Sequence, residues 1–374
     1  MAFSHFKTKE ARLPKYKPEV QAKLVDAHLV DPSYDGNVDN RKMTYDEYLN
    51  HIKRRRDYYD TLEFVKRDGS IRYVSEPPKF LRIFQRTFLR DQLDDENLFH
   101  SSAFAYVPGR SSVQAARLHK DATWLVKVDL KDFFHQIDER RIYWTLRKLS
   151  VDDFRSFFIA RFLTRVLDEK VDWLPSKYNR YRRHGLSKKF GVVDRRLGFL
   201  PQGAPTSGAI SNVVCFDLDN AISALTFAYG LNYTRYADDI VISGEKGFDR
   251  EFAEKILKRV LKLVRANGFE HNLAKTRIVP PGARLKVLGV LVGGGVLRLP
   301  KDARNRIDGE LRAIEKFGFK KHTKYAEEKN EFTLLNRIYG YLVWAMDVNP
   351  DWAAPRLDKL RELAEMQLEI ELNG

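Results

Sequence analysis

Between residues 61 and 78, "TLEFVKRDGSIRYVSEPP" carries two strips of alternating apolar and polar residues around Asp68-Gly69, a pattern that predicts a β-hairpin. After the paired prolines, "KFLRIFQRTFLRDQL" (79–93) changes to helical spacing. "TWLVKVDLKDFF" (123–134) reads as a buried strand, and the stretch from Arg140 to about Val166 as one helix. Residues 207–230 form a long apolar helix closed by Gly230, and "YTRYADDIVISG" reads as a hairpin. "DREFAEKILKRVLKLVRANG" (249–268) is a basic amphipathic helix, and "ARLKVLGVLV" (283–292) a further strand. Helical spacing returns over 299–318, with basic residues on one face, and over 334–350, where Tyr341 and Trp344 read as core. Strands and helices mix without regular alternation, so the fold class is α+β. Residues 1–42 are polar and lack sustained periodicity, and no repeat or low-complexity tract is visible.

Composition narrows this picture. A chain of 374 residues with 43% hydrophobic and 12% aromatic residues is that of a folded protein with room for two or three subdomains. The net charge of +15, with basic runs such as "HIKRRR" (51–56) and "SKYNRYRRHGLSKK" (176–189), points to a polyanionic partner, although an anionic membrane surface attracts by the same physics. No apolar run is long enough to span a bilayer, and the N-terminal residues lack the apolar centre of a signal peptide. The single Cys215 can form neither an internal disulfide nor a Cys-rich zinc site, so a reducing, cytoplasmic location is expected.

Asp238 and Asp239 interrupt a run of β-branched apolar residues, where carboxylates are poor strand formers and costly to bury. Asp129 ends another β-rich stretch about a hundred residues earlier. Three acids on neighbouring strands can hold two Mg2+ ions for a phosphoryl transfer, whereas an isolated Asp-Asp pair is an ordinary solvated turn. "LPQGAPTSGAISN" (200–212) sets Gln202 and Gly203 just ahead of a helix, where backbone N–H groups and a side-chain amide face a base or phosphate, or where the loop simply caps the helix.

In this order and spacing, "VKVDLKDFF", "LPQGAPTS", "RYADDIVISG" and "HNLAKTRI" resemble the palm motifs of reverse transcriptases, specifically those of the bacterial retron type. The resemblance runs from about Leu62 to Pro350. It implies a right-hand polymerase with fingers, a ferredoxin-like palm and a helical thumb. The corresponding division is 1–60 as an N-terminal extension, 61–122 as fingers, 123–292 as palm and 293–374 as thumb. Within the palm span, 135–200 returns to the fingers and carries a basic insertion at 168–196.

The same resemblance makes Asp129, Asp238 and Asp239 catalytic metal ligands for two Mg2+ ions, with the Leu130 carbonyl as a further ligand. It places Phe134 as an aromatic gate against the ribose 2′-OH, and Lys66 and Arg72 on the incoming triphosphate. Gln202 meets the nucleotide and template, and Lys275 approaches the phosphates. "KVLGVLV" (286–292) resembles the primer-grip hairpin, where Gly289 permits close backbone approach, or is a simple strand with a bulge, and "VLG" (287–289) stands where retron enzymes carry Val-Thr-Gly, with Leu288 in place of the Thr. "AARLH" (115–119) departs from a retron Asn-Ala-x-x-His element at Ala115 and makes His119 an RNA contact. Arg180, Arg182 and Arg183, alternating with tyrosines in the insertion, are candidates for RNA stacking and phosphate contact, or belong to a solvated loop.

By this resemblance the partners are a structured noncoding RNA serving as template and primer, its branched multicopy single-stranded DNA product, dNTPs, and a separate effector protein in anti-phage defence, with no membrane. Two other readings stay open: a defence-associated reverse transcriptase without a retron RNA, and an RNA-binding scaffold of the same fold.

Overall fold

The computed structural model describes residues 58–65, 69, 71–168, 196–245 and 247–369. Its elements in chain order are β1 (Asp60–Val65), β2 (Ile71–Glu76), α1 (Lys79–Gln92), α2 (Ser112–Arg117), β3 (Trp124–Asp129), α3 (Glu139–Lys148), α4 (Asp153–Phe162) and α5 (Ser207–Phe227). They continue with β4 (Asn232–Tyr236), β5 (Asp239–Gly244), α6 (Arg250–Ala266), β6 (Arg277–Val279), β7 (Lys286–Val287), β8 (Val290–Leu291), α7 (Lys301–Tyr325), α8 (Glu331–Val348) and α9 (Pro350–Leu368). None of the described helices is long and apolar enough to cross a membrane.

The chain divides into two compact units. The first comprises Met1–Gly109, Leu130–Ala221 and Val264–Glu270, with the β1–β2 hairpin, α1, α3, α4 and most of α5 among its described parts. The single helix expected from Arg140 to Val166 is broken in two. Ser150 takes a left-handed φ of 65°, and Asp152 then caps α4 by accepting from the Arg155 N–H. Leu149 and Val151 are buried on either side, so apolar spacing runs unbroken across a corner. Asp138 caps α3 by accepting from the N–H groups of Arg140 and Arg141.

The second unit comprises Arg110–Asp129, Ile222–Leu263 and His271–Gly374. Its centre is an antiparallel four-stranded sheet in the order β4-β5-β3-β6. Trp124, Leu125, Val126 and Val128 of β3 are all buried, which explains a near-continuous apolar run in place of strict alternation. Leu125 and Val241 of this sheet join one core cluster with Ile307 and Leu311 of α7, Leu334 and Leu342 of α8, and Leu360 of α9. Tyr341 and Trp344 pack against that cluster half-buried, as their spacing suggests. Where periodicity alone predicts one strand over 283–292, the chain forms the tight hairpin that the resemblance implies: β7 pairs with β8 around Leu288 and Gly289, whose φ values are 47° and 90°. Two left-handed residues in succession fold the strand back on itself.

Candidate active site

The hairpin of β4 and β5 is closed by the two residues Ala237 and Asp238, with Tyr236 opposite Asp239 in register. Ala237 takes a left-handed φ of 54°, strained for a residue with a Cβ. Its carbonyl accepts from Nη1 of Arg235 at 3.2 Å, and the Arg235 side chain is fully buried beneath the turn. On the next strand, Asp129 pairs with Asp239. The three acids therefore meet at one end of one sheet, inside the second unit. Backbone contacts fix that end further: the Asn272 N–H donates to the Asp129 carbonyl at 2.7 Å.

Two lysines serve this group. Lys275 Nζ lies 3.0 Å from Asp129 Oδ2, and Lys127 Nζ lies 3.7 Å from Asp239 Oδ2. Lys127 precedes Asp129 by two residues, so the strand period puts both on one face. Burial, reinforced by the Asp129 charge, holds the Asp238 carboxyl above the ordinary range. Asp239 is raised by burial too, with Lys127 pulling in the opposite direction. The Lys275 ammonium is held above its usual value, chiefly by its hydrogen bond to Asp129. Hard oxygen donors gathered under mutual repulsion suit a hard divalent cation, which would relieve the repulsion. Among the described residues no three His, Cys, Asp or Glu side chains already close around one point. Lys275 and Lys127 pair with two of the three carboxylates, those of Asp129 and Asp239.

The first unit holds a separate cavity of about 440 Å³, lined among others by Tyr106, Phe134, Gln202, Gly203, Pro205 and Gly208. Phe134 and Gln202 are thus brought together, as the motifs suggest. Its neighbour Phe133 turns inward and stacks on Phe269. The Tyr106 ring centroid is 6.2 Å from that of Phe134, and Tyr106 carries a left-handed φ of 59°. Its side chain packs against Gly208, where an added Cβ would stand 2.3 Å from the Tyr106 Cγ. Nothing in the sequence pattern singled out Tyr106; an aromatic residue ahead of Pro-Gly reads as an ordinary loop.

Arg72 lies on the exposed part of β2, opposite Phe64 in the hairpin. Leu130 is buried directly after Asp129, and Gly289 sits in the β7–β8 turn with Trp344 3.8 Å from where its Cβ would be. Lys66, Arg180, Arg182 and Arg183 lie outside the described residues, as do the basic insertion except for its end residues and the N-terminal extension up to residue 57.

His119 corrects an expectation. It is fully buried, with Nδ1 2.7 Å from Ser243 Oγ and Nε2 2.8 Å from Thr234 Oγ1. Burial, and secondarily the Lys127 charge, push its pKa down to about 3, so it is neutral and bridges two strands. No ring atom is left for RNA. The residue lies just past the end of α2, turned into the sheet.

Residues 64–292 match the family described as "Reverse transcriptase (RNA-dependent DNA polymerase)", which is more than half of the chain. The chain belongs to the reverse transcriptase family. Within it, the chain is of the bacterial retron type and has the mixed α+β fold of a right-hand polymerase. It is 34% identical over 257 residues to the Retron Mx162 reverse transcriptase of Myxococcus xanthus, covering 66% of this chain and 50% of that one. It is 30% identical over 307 residues to the Retron Mx65 reverse transcriptase of the same organism, covering 82% of this chain and 64% of the relative. The chain thus spans about half to two-thirds of the length of these reverse transcriptases. Among solved structures it is similar to telomerase from Candida albicans in complex with a fragment of telomeric RNA, at 13% identity and a TM-score of 0.43, covering 84% of this chain and 64% of that one.

Proposed function

We propose that this chain is an RNA-directed DNA polymerase that copies a cognate structured RNA into DNA. The observation that carries the reading is the register of the sheet, which sets Asp129 against Asp239 with Asp238 on the adjoining turn. In this reading the four-stranded sheet is the palm, the β1–β2 hairpin belongs to the fingers and α7 to α9 form the thumb.

Asp129, Asp238 and Asp239 would hold two Mg2+ ions, with the Leu130 carbonyl as a further oxygen. Bound there, such ions activate a primer hydroxyl and neutralise the charge that builds on departing pyrophosphate. The chain's own groups do the rest. Lys275, a cation beside Asp129, is placed to meet the phosphates and to supply a proton to the leaving group. Arg72, from the β1–β2 hairpin, and Lys66 bind the triphosphate. Gln202 contacts the nucleotide and template in the cavity, where Phe134 excludes a ribose 2′-OH by volume. Gly289 lets the primer backbone approach the β7–β8 turn.

Similarity to retron reverse transcriptases supports a dedicated noncoding RNA that acts as template and primer and yields branched multicopy single-stranded DNA. On the same resemblance rest cytoplasmic anti-phage defence with a separate effector protein, and RNA contacts by Arg180, Arg182 and Arg183.

Sequencing the nucleic acid that copurifies with the protein tests the reading. A discrete RNA–DNA species is expected, absent from Asp238→Asn/Asp239→Asn protein that still holds the RNA. RNA without DNA in the wild type would favour a scaffold of the same fold.

A further inference from the structure

Arg165 follows α4 and is buried within the first unit, at 4% exposure. Its guanidinium reaches the base of the β1–β2 hairpin in three directions: Nη1 donates to Thr61 Oγ1 at 3.1 Å and to Ser75 Oγ at 2.8 Å, and Nη2 donates to the Tyr59 carbonyl at 3.0 Å. It also lies over the Tyr59 ring, 5.5 Å from the centroid. A planar fork with five donors suits acceptors spread in this way; an ammonium on a flexible stem does not.

The Arg165 backbone does a second thing. Its N–H donates to the Phe199 carbonyl at 2.8 Å and its carbonyl accepts from the Phe199 N–H at 3.0 Å. Three residues later, the Gln202 carbonyl accepts from the Ser75 N–H at 2.6 Å. These bonds close a ring that runs from Arg165 to Ser75, across to Gln202, back along the chain to Phe199, and to Arg165 again. The junction is also tight. At Gly203, whose φ is 118°, an added Cβ would stand 2.5 Å from Val74 Cγ1 and 2.8 Å from the Ser75 carbonyl oxygen. The hairpin that carries Arg72 and the loop that carries Gln202 are therefore joined at one residue, whose side chain holds the hairpin and whose backbone holds the segment leading into the loop.

We infer that Arg165 is a positioning residue for nucleotide binding, holding the Arg72 hairpin and the Gln202 loop in one fixed relation before the nucleotide arrives. Such preorganisation lowers the ordering cost of binding and leaves the chemical step alone. The inference rests on the polymerase reading given above.

Single-nucleotide incorporation on a defined template and primer, with KM for the dNTP and kcat measured separately, tests it. Arg165→Met, which removes all three side-chain hydrogen bonds, is expected to raise KM about tenfold, with kcat changed less than about threefold. Arg165→Lys, which keeps the charge and loses the fork, should fall between the two. Ser75→Ala, which removes one acceptor, should raise KM by a smaller factor and serves as the second variant if Arg165→Met does not fold. The dissociation constant for template and primer should change far less than KM in all three. A loss of kcat at constant KM, or equal losses in dNTP and template binding, would mean that Arg165 only supports folding and would overturn the inference. A wild type that adds no templated dNTP would instead remove the polymerase reading itself.

Discussion

Asp129 stands opposite Asp239 in the pairing of β3 with β5, and each carboxylate has a lysine of its own, Lys275 at 3.0 Å and Lys127 at 3.7 Å. Three half-buried acids against two cations leave the cluster one negative charge in excess, with Asp238 on the turn lacking any such lysine among the described ion pairs. Burial, and after it the Asp129 charge, holds the Asp238 carboxyl above the ordinary range. Sites arranged for chemistry commonly sacrifice stability in this way. Asp238→Asn should therefore abolish incorporation while leaving metal-free stability unchanged or raised by ~1 kcal/mol. Urea denaturation in the presence of a chelator measures the second part. Mg2+ should stabilise the wild type and not the variant, because only binding to the native state shifts the unfolding equilibrium.

Lys127 gives the complementary case. Its ammonium neutralises Asp239 in the absence of metal and opposes a divalent ion when one arrives. With Lys127→Met, metal-free protein should melt earlier, and the Mg2+ concentration needed for half-maximal stabilisation should fall about tenfold, the scale of one charge removed at a few ångströms in a screened site. Thermal melts across a Mg2+ series read both effects. An unchanged midpoint would show that Lys127 does not compete with the ion.

Phe134 forms one wall of the cavity that Gln202 and Tyr106 share. Phe134→Ala removes most of a ring from that wall, and in the polymerase reading it should let a ribonucleotide's 2′-OH enter. Incorporation of rNTPs relative to dNTPs should rise by roughly 10- to 100-fold, the range that steric discrimination in an apolar wall provides. Paired kcat/KM values for a dNTP and its ribo counterpart decide the matter, and a constant ratio would take Phe134 out of the gate.

The acidic site was largely legible in the sequence and its supporting parts were not, for a physical reason. "YTRYADDIVISG" carries its own hairpin in local alternation, and the four motifs in order give the family. Which residue faces which across strands about a hundred positions apart is a tertiary outcome, so the opposition of Asp129 to Asp239 appears only in the fold. Arg165, Arg235 and Lys127 are buried or half-buried cations, and a lone Arg or Lys in a basic chain has no pattern that separates it from surface charge. The break between α3 and α4 was concealed because Leu149 and Val151 are both buried, although Asp152 followed by Asp153 is a helix-start signal. Leu288 at a left-handed φ, where Asn or Gly is usual, likewise hid the β7–β8 turn from apolar spacing, and only the resemblance to a primer grip pointed to a hairpin there.

His119 makes the acid response of the second unit predictable. Its ring is neutral between the hydroxyls of Ser243 and Thr234, with a folded pKa of about 3 against about 6.5 unfolded. The unfolded chain thus binds a proton that the native state refuses. The histidine's contribution is fully present above pH 6.5 and is lost as pH falls toward the folded value, at up to ~1.4 kcal/mol per pH unit. His135, lowered to about 4 by burial and by the Arg165 charge, adds a slope of the same sign in the first unit. His119→Gln keeps a donor and an acceptor without the titration. It should cost ~1–3 kcal/mol at neutral pH through poorer geometry to the two hydroxyls, and should flatten the loss between pH 6.5 and 4. Urea denaturation of both proteins over that range isolates the histidine, because the His135 slope cancels in the difference. Parallel curves for wild type and variant would mean that the ring is protonated in the native state, with the strands opening to admit it.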